Sequence, residues 1–197
     1  MITTIILARH GATGANLENR FAGRSDEPLH RQGIEQLLAV AEGLKNTRLT
    51  GGIVCGPLTR TRQSAELVGR ELSVPVRTED CFTEIDIPHW DGLTKDEIRQ
   101  RFGPEYPTWL ENPAGFALPG CESLARVQER AVAGLERLFV DMAGHTTLVI
   151  SHLIVVRCLL LHYRGLSLGE FRGIKVDNGA LIYLRRDATG CTEVGSV

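Results

Sequence analysis

Hydrophobic positions in this chain follow two alternating patterns. Short, mostly unbroken runs rich in β-branched residues occur at TTIILA (3–8), GGIVC (51–55), VPVRT (74–78) and TTLVIS (146–151). Runs of this length and composition predict strands, and the charge-free ones predict strands covered on both faces, as in a parallel sheet. Between them the spacing changes. Ile34, Leu37, Leu38, Ala41 and Leu44 recur every three or four residues, which predicts an amphipathic helix over 31–45. Ala65, Val68 and Leu72 mark a second helix over 58–72, and Leu124, Val127, Ala131, Leu135 and Leu138 a long one over 122–142. The apolar stretch after His152 predicts a buried helix, and GALIYLRR and TEVGSV predict closing strands. Strands alternating with helices define an α/β class with a mostly parallel sheet.

Residues 82–121 break the rhythm. They hold five prolines, at 88, 104, 107, 113 and 119, together with Trp90 and Trp109. Thr94 and Glu97 form a capping box for a short helix. This segment is expected to be an excursion from the sheet within one domain spanning 1–197, a length that suits a single domain.

Composition narrows the function classes. Hydrophobic residues make up 43% and charged residues 23%, enough for a sizeable core. A net charge of −2 gives no footprint for nucleic acid or an anionic membrane surface, though it allows a local basic pocket. The five scattered cysteines lack a C-x-x-C pair and fit neither a disulfide framework nor a zinc site. A reducing cytoplasm is the expected compartment. The N-terminus runs into MITTIILA without a signal-peptide pattern. Ser151, His152 and Arg157 interrupt the longest apolar region, so no membrane span is expected where about 20 apolar residues are needed.

The polar ends of the strands carry the chemistry. IILARHG and LVISHL both end in histidine, His10 and His152. In an open α/β sheet, ligands bind beyond the carboxyl ends of the strands, so both can face one pocket. Arg9 adjoins His10, and Arg60 opens the helix after GGIVC. Arginine presents a planar fork suited to phosphate oxygens. Gly11 allows close backbone approach, and Asn16 adds a neutral donor. FTEIDIPHWDG offers two carboxylates for proton transfer, Glu84 and Asp86. No cluster of His, Cys and carboxylate residues has metal-ligand spacing, and no cofactor is implied.

RHGATGAN, PLTRTRQSA, FTEIDIPHWDG and VISHLIVVR, in this order, resemble the motifs of the histidine phosphatase superfamily, the phosphoglycerate-mutase-like proteins. The resemblance runs from residue 5 to about 185. It implies a three-layer α/β/α sandwich and a metal-independent phosphatase acting on a small phosphate ester. It implies that His10 is the nucleophile that becomes phosphohistidine. Arg9, Arg60, His152 and Asn16 would hold the phosphoryl group, and Glu84, rather than Asp86, would donate the proton. Arg20, Arg24, His89 and Trp90 are further candidates for substrate contact, while His30, His145 and His162 are assigned no role.

PLHRQGIEQ and WLENPAGFALPGCES are similar to stretches of α-ribazole phosphatases and broad-specificity relatives. The rivals are a phosphoglycerate mutase, for which the chain is short, a protein phosphohistidine phosphatase, and a catalytically silent phospho-ligand binder. Some positions depart from the family pattern: Ala12, Gly56, Pro88, Cys121 and the pair Leu153-Ile154. None removes a side chain of the implied site. Leu153 is expected to narrow access around His152, and Pro88 to re-aim Glu84.

Overall fold

The structure, a computed structural model, describes residues 1–196, so Val197 of the last expected strand lies outside the described residues. Strand β1 (Thr3–Arg9) lies inside a six-stranded sheet. On one side it pairs in parallel with β4 (Thr146–Ser151), and on the other antiparallel with β5 (Leu181–Asp187). Strand β2 (Ile53–Cys55) runs parallel to β4 and to β3 (Val76–Thr78). With β6 (Gly190–Ser196) antiparallel to β5, the order is β3-β2-β4-β1-β5-β6. Every residue of β3 is exposed, and Arg77 stands there, which suits an edge strand.

The pleat sends alternate residues to opposite faces. Ile5, Leu7, Val54 and Val149 enter one core, while Ile6, Ala8, Ile53, Cys55, Leu148 and Ile150 enter the other. Helices α2 (Arg31–Leu44) and α3 (Thr59–Leu72) cover the second face, and α6 (Leu124–Asp141) and α7 (Leu153–Tyr163) cover the first. The result is a three-layer α/β/α sandwich. Each fully buried Leu or Ile in it contributes roughly 1.5–3 kcal/mol. The five cysteines are all free. Among the described residues no helix is long and apolar enough to cross a membrane.

The proline-rich excursion fills the gap between β3 and α6. It folds into α4 (Lys95–Phe102), α5 (Glu105–Glu111) and three short 3₁₀ turns. The capping box at Thr94 and Glu97 is formed. Pro107 sits in the first turn of α5, where an N–H has no intrahelical partner in any case. The segment packs around the fully buried Trp90, whose ring meets Phe21, Tyr106, Trp109 and Phe116 at centroid distances of 5.1–6.2 Å. Backbone bonds between Phe21 and residues 92 and 93 stitch it to the loop that follows the short helix α1 (Gly14–Leu17).

Candidate active site

Strand register sets the floor of the site. Arg9 pairs with Ser151 across β1 and β4, and Cys55 of β2 lies level with Ile150. The next residues, His10 and His152, therefore meet at the carboxyl edge with ring centroids 5.3 Å apart. His10 Nδ1 lies 2.8 Å from the Gly11 carbonyl oxygen. That contact requires a proton on Nδ1 and leaves the lone pair on Nε2. Burial, with Arg60 and Arg9 nearby, holds the His10 pKa well below its ordinary value, so the ring is neutral at pH 7. The loop beyond His10 crosses α2 at backbone distance. A Cβ on Gly11 would lie 2.5 Å from the Gly33 carbonyl oxygen, and one on Gly33 would lie 2.2 Å from that of Ala12. Only glycines permit this approach.

Arg60 is almost wholly buried near the start of α3. It donates through Nη1 to Ser25 O at 2.6 Å, through Nη2 to Gly23 O at 2.6 Å and through Nε to His152 Nδ1 at 3.2 Å. These three acceptors fix the plane of the guanidinium without neutralising it. Arg9 donates through Nη1 to Val176 O at 3.0 Å, and its buried Nε has no protein partner. Burial pushes its pKa down to about 10, so it remains a cation. Among the described residues neither arginine forms an ion pair. Two desolvated, unneutralised cations beside one histidine make a strong anion site.

Glu84 is buried, and its oxygens accept from Ile85 N at 2.9 Å and Ile154 N at 3.3 Å. Burial nevertheless raises its pKa above the usual carboxylate value, against the pull of these amides and of Arg60 and Arg9. Its backbone is held from behind. Arg24 Nε (3.1 Å) and Arg130 Nη2 (3.3 Å) both donate to Glu84 O, and Glu122 neutralises both arginines. Ser151 Oγ donates to Phe82 O at 2.8 Å and ties the same loop to β4. Asn16 Oδ1 accepts from Thr13 N and from Asn178 Nδ2, so its own amide N–H groups remain for the cavity.

Arg9, His10, Asn16, Arg60 and Glu84 line one cavity of about 410 Å³. His152 does not reach that wall. It lies beneath, fully buried, and meets the cavity through Arg60. Its Nε2 is unpartnered and points at Gly56, where a Cβ would sit 3.2 Å away, so the position has no hydroxyl to offer it.

Of the further candidates, Arg20 lines the cavity but is tied to Glu18 at 2.6 Å and to Gly92 O at 2.9 Å. Arg24 is turned to the back of Glu84, and Asp86 pairs with it at 3.3 Å. His89 is bound to Glu105 at 2.6 Å, and Trp90 is fully buried in the aromatic cluster. Arg24, His89 and Trp90 are thus corrected from substrate contacts to supports of the wall. Pro88 opens a 3₁₀ turn and leaves Glu84 in the cavity. Leu153 lines the cavity, whereas His152, around which it was expected to narrow access, does not.

Sequence reasoning missed Asn178, which donates to His10 O at 2.8 Å, because VDNGA carries the signature of an ordinary turn. It also missed Lys95, Arg157 and Arg172, which line the cavity from three separate elements. Among the described residues no group of three His, Cys, Asp or Glu side chains is placed to hold a metal ion.

The comparisons bear on this geometry. The bifunctional protein Rv2228c of Mycobacterium tuberculosis is 30% identical over 98% of this chain but only 52% of its own length. The chain thus spans about half the length of such relatives. Phosphoserine phosphatase 1 of Hydrogenobacter thermophilus is 29% identical over 89% of this chain and 83% of its own. A 2,3-bisphosphoglycerate-dependent phosphoglycerate mutase of Beijerinckia indica is 32% identical over 94% and 93%. Among solved structures, Bacillus stearothermophilus YhfR superposes with a TM-score of 0.92 at 25% identity, covering 97% of this chain and 95% of its own. The model of the histidine phosphatase superfamily (branch 1) matches residues 5–196, and the chain belongs to that superfamily.

Proposed function

We propose that this chain is a phosphomonoesterase that hydrolyses a small phosphate ester through a phosphohistidine on His10. One observation carries the reading. A neutral histidine with its Nε2 lone pair free shares one cavity with the buried Arg60 and the half-buried Arg9, neither of which has a carboxylate partner among the described residues, and with Glu84, its pKa raised. In the first half-reaction Nε2 forms a bond to phosphorus, and the bond from phosphorus to the leaving oxygen breaks. Glu84 gives its proton to that oxygen. The positive charge growing on the ring is shared with Nδ1–H and met by the Gly11 carbonyl. Arg9, Arg60 and the Asn16 amide neutralise the equatorial oxygens. In the second half-reaction, ionised Glu84 takes a proton from water as its oxygen bonds to phosphorus and the N–P bond breaks. His152 acts through Arg60, whose orientation it helps to fix.

A mutase reading shares the first half-reaction and differs in what receives the phosphoryl group. Chain length does not separate the two, because the Beijerinckia mutase aligns over 93% of its length. Rapid quench with a labelled ester is the test. The parent should form an acid-labile phosphoenzyme and release inorganic phosphate, and a folded His10→Ala variant should do neither. A phosphoenzyme that only regenerates isomerised 3-phosphoglycerate would replace the hydrolase reading with the mutase one. α-Ribazole 5′-phosphate, phosphoserine and a phosphohistidine peptide complete the substrate panel. Turnover in the His10→Ala variant would end the proposal.

A further inference from the structure

Away from the phosphate cavity, the excursion and the turn before α6 bring together a nucleophile, a base and a carboxylate. Cys121 Sγ lies 3.7 Å from His89 Nδ1, and His89 Nε2 lies 2.6 Å from Glu105 Oε2. The same Glu105 oxygen accepts from Trp90 Nε1 at 3.0 Å. A carboxylate has no proton to offer, so His89 carries its proton on Nε2 and keeps a lone pair on Nδ1, the nitrogen that meets the sulfur. The rings of Phe102 and Trp90 stand edge-on to the imidazole at 4.7 Å and 6.0 Å and hold its plane. Cys121, His89 and Glu105 are all half-buried, and none of them lines the phosphate cavity. The other cysteines lack this setting. Cys55 and Cys158 are buried, and Cys81 and Cys191, though half-buried like Cys121, bond to no histidine among the described residues.

Burial, with Glu105 and Asp86 nearby, raises the Cys121 pKa, so the resting group is the thiol. A thiol attacks poorly until its proton leaves, and His89 Nδ1 is placed to take it. Nucleophile, base and orienting carboxylate follow in the order of a catalytic triad. We propose that Cys121, His89 and Glu105 form a thiol modification site, at which a small neutral peroxide oxidises Cys121 to a sulfenic acid. The surroundings select that class of oxidant. A half-buried sulfur admits a molecule of a few atoms, and the carboxylates of Glu105 and Asp86 repel anionic electrophiles. In the step, His89 Nδ1 accepts the thiol proton as sulfur bonds to one peroxide oxygen. The O–O bond breaks with its electron pair on the departing oxygen, and the imidazolium returns the proton there. One thiol and one hydrogen peroxide thus become one S–OH group and one water, with sulfur giving up two electrons to the peroxide. Glu105 is the positioning residue, holding the tautomer and facing the transient imidazolium with its charge.

Hydrogen peroxide is the probe. A dimedone-type reagent that caps sulfenic acids, read by peptide mass spectrometry, reports each cysteine separately. In the folded parent, Cys121 should be labelled about 10-fold or more faster than Cys81 and Cys191, the low end of what a positioned base supplies. Equal rates at the three overturn the proposal without any variant. In His89→Gln the Cys121 rate should fall to within threefold of the other two. Glu105→Gln, which keeps an oxygen acceptor but loses the charge, should slow it by a smaller factor. Loosened packing would expose the thiol and speed labelling, so a merely structural role shows itself by the opposite sign. Added imidazole should restore part of the Cys121 rate in His89→Gly while leaving Cys81 unchanged. A Cys121 rate that is unchanged or faster in His89→Gln overturns the proposal. The assay counts sulfenic acid rather than phosphate, so its outcome stands apart from the reading of His10.

Discussion

The two halves of this cavity are built by different physics. The sheet edge presents Arg9, His10 and Arg60 from strand ends and a helix start, where parallel pairing fixes backbone position to the residue. The excursion presents Glu84 and Lys95 from irregular backbone. Its order comes from Trp90 and its aromatic neighbours and from arginine clamps on the Glu84 carbonyl. Under the proposed function, the first half would meet what every phosphate ester shares, and the second the part that differs, the leaving alcohol. Substitutions at the sheet edge should therefore damage all substrates alike, and those in the excursion should discriminate among them.

The largest discriminating effect is expected at Glu84. In single turnover, Glu84→Gln should slow phosphoenzyme formation from an alkyl phosphate by about 10²–10⁴-fold, the usual range for general acid catalysis. p-Nitrophenyl phosphate, whose leaving group needs little protonation, should lose far less. Asp86→Asn is the internal control. Asp86 pairs with Arg24 at 3.3 Å and lies outside the cavity wall, so the variant should keep the parental dependence on leaving group. A selective loss in Asp86→Asn instead would move the acid two residues along the loop. Equal losses for both esters in Glu84→Gln would remove the acid from the excursion and dissolve the contrast between the halves.

Next comes Arg60→Lys, expected to cost about 10²-fold for every ester, as removal of one transition-state donor does. Lysine keeps the charge but cannot donate to Ser25 O, Gly23 O and His152 from one rigid plane. The measurement is kcat/KM for alkyl and p-nitrophenyl phosphate in parallel. A loss under twofold, or one confined to alkyl phosphate, would show that the sheet edge does not act on the shared phosphoryl group.

The same division explains what was legible in the sequence. β1, β2 and β4 were visible because a strand buried on both faces has to be written as an apolar run, and its polar end then stands out as RHG or SHL. Arg60 followed because it opens a regular helix. The excursion hid its logic. His89 and Trp90 flank the motif that contains Glu84, yet they face inward because the segment needs its own small core. Arg24 reads from sequence as a candidate substrate contact because linear sequence does not reveal a carbonyl 60 residues away that it supports. Lys95, Arg157 and Arg172 were invisible as a group because each lies on a different element and has the ordinary look of a surface cation.

The smallest expected effect concerns stability, and it separates the halves by pH. His10 and His152 are buried and neutral at the sheet edge, both with pKa values held well below 6.5. The unfolded chain binds protons at these histidines below pH 6.5 and the folded chain does not. Their contribution is therefore fully present above that pH and is lost as the solution is acidified. Each unit of separation is worth about 1.4 kcal/mol. Glu84 acts in the opposite sense. Its raised pKa contributes stability below its unfolded value of 4.5, which is lost as pH rises through the folded value. The parent profile mixes these contributions, so the informative quantity is a difference. Urea unfolding of the parent and of His10→Gln at pH 7.5 and 5.5 supplies it. Losing the Gly11 hydrogen bond offsets the variant by a constant amount, whereas losing the histidine removes part of the slope. The parent should lose more stability between the two pH values than the variant, by up to about 1.4 kcal/mol, the shift open to one histidine over one pH unit below 6.5. Identical slopes would mean that His10 is protonated in the folded state, and a protonated imidazole beside Arg9 and Arg60 has no lone pair on Nε2 with which to attack phosphorus.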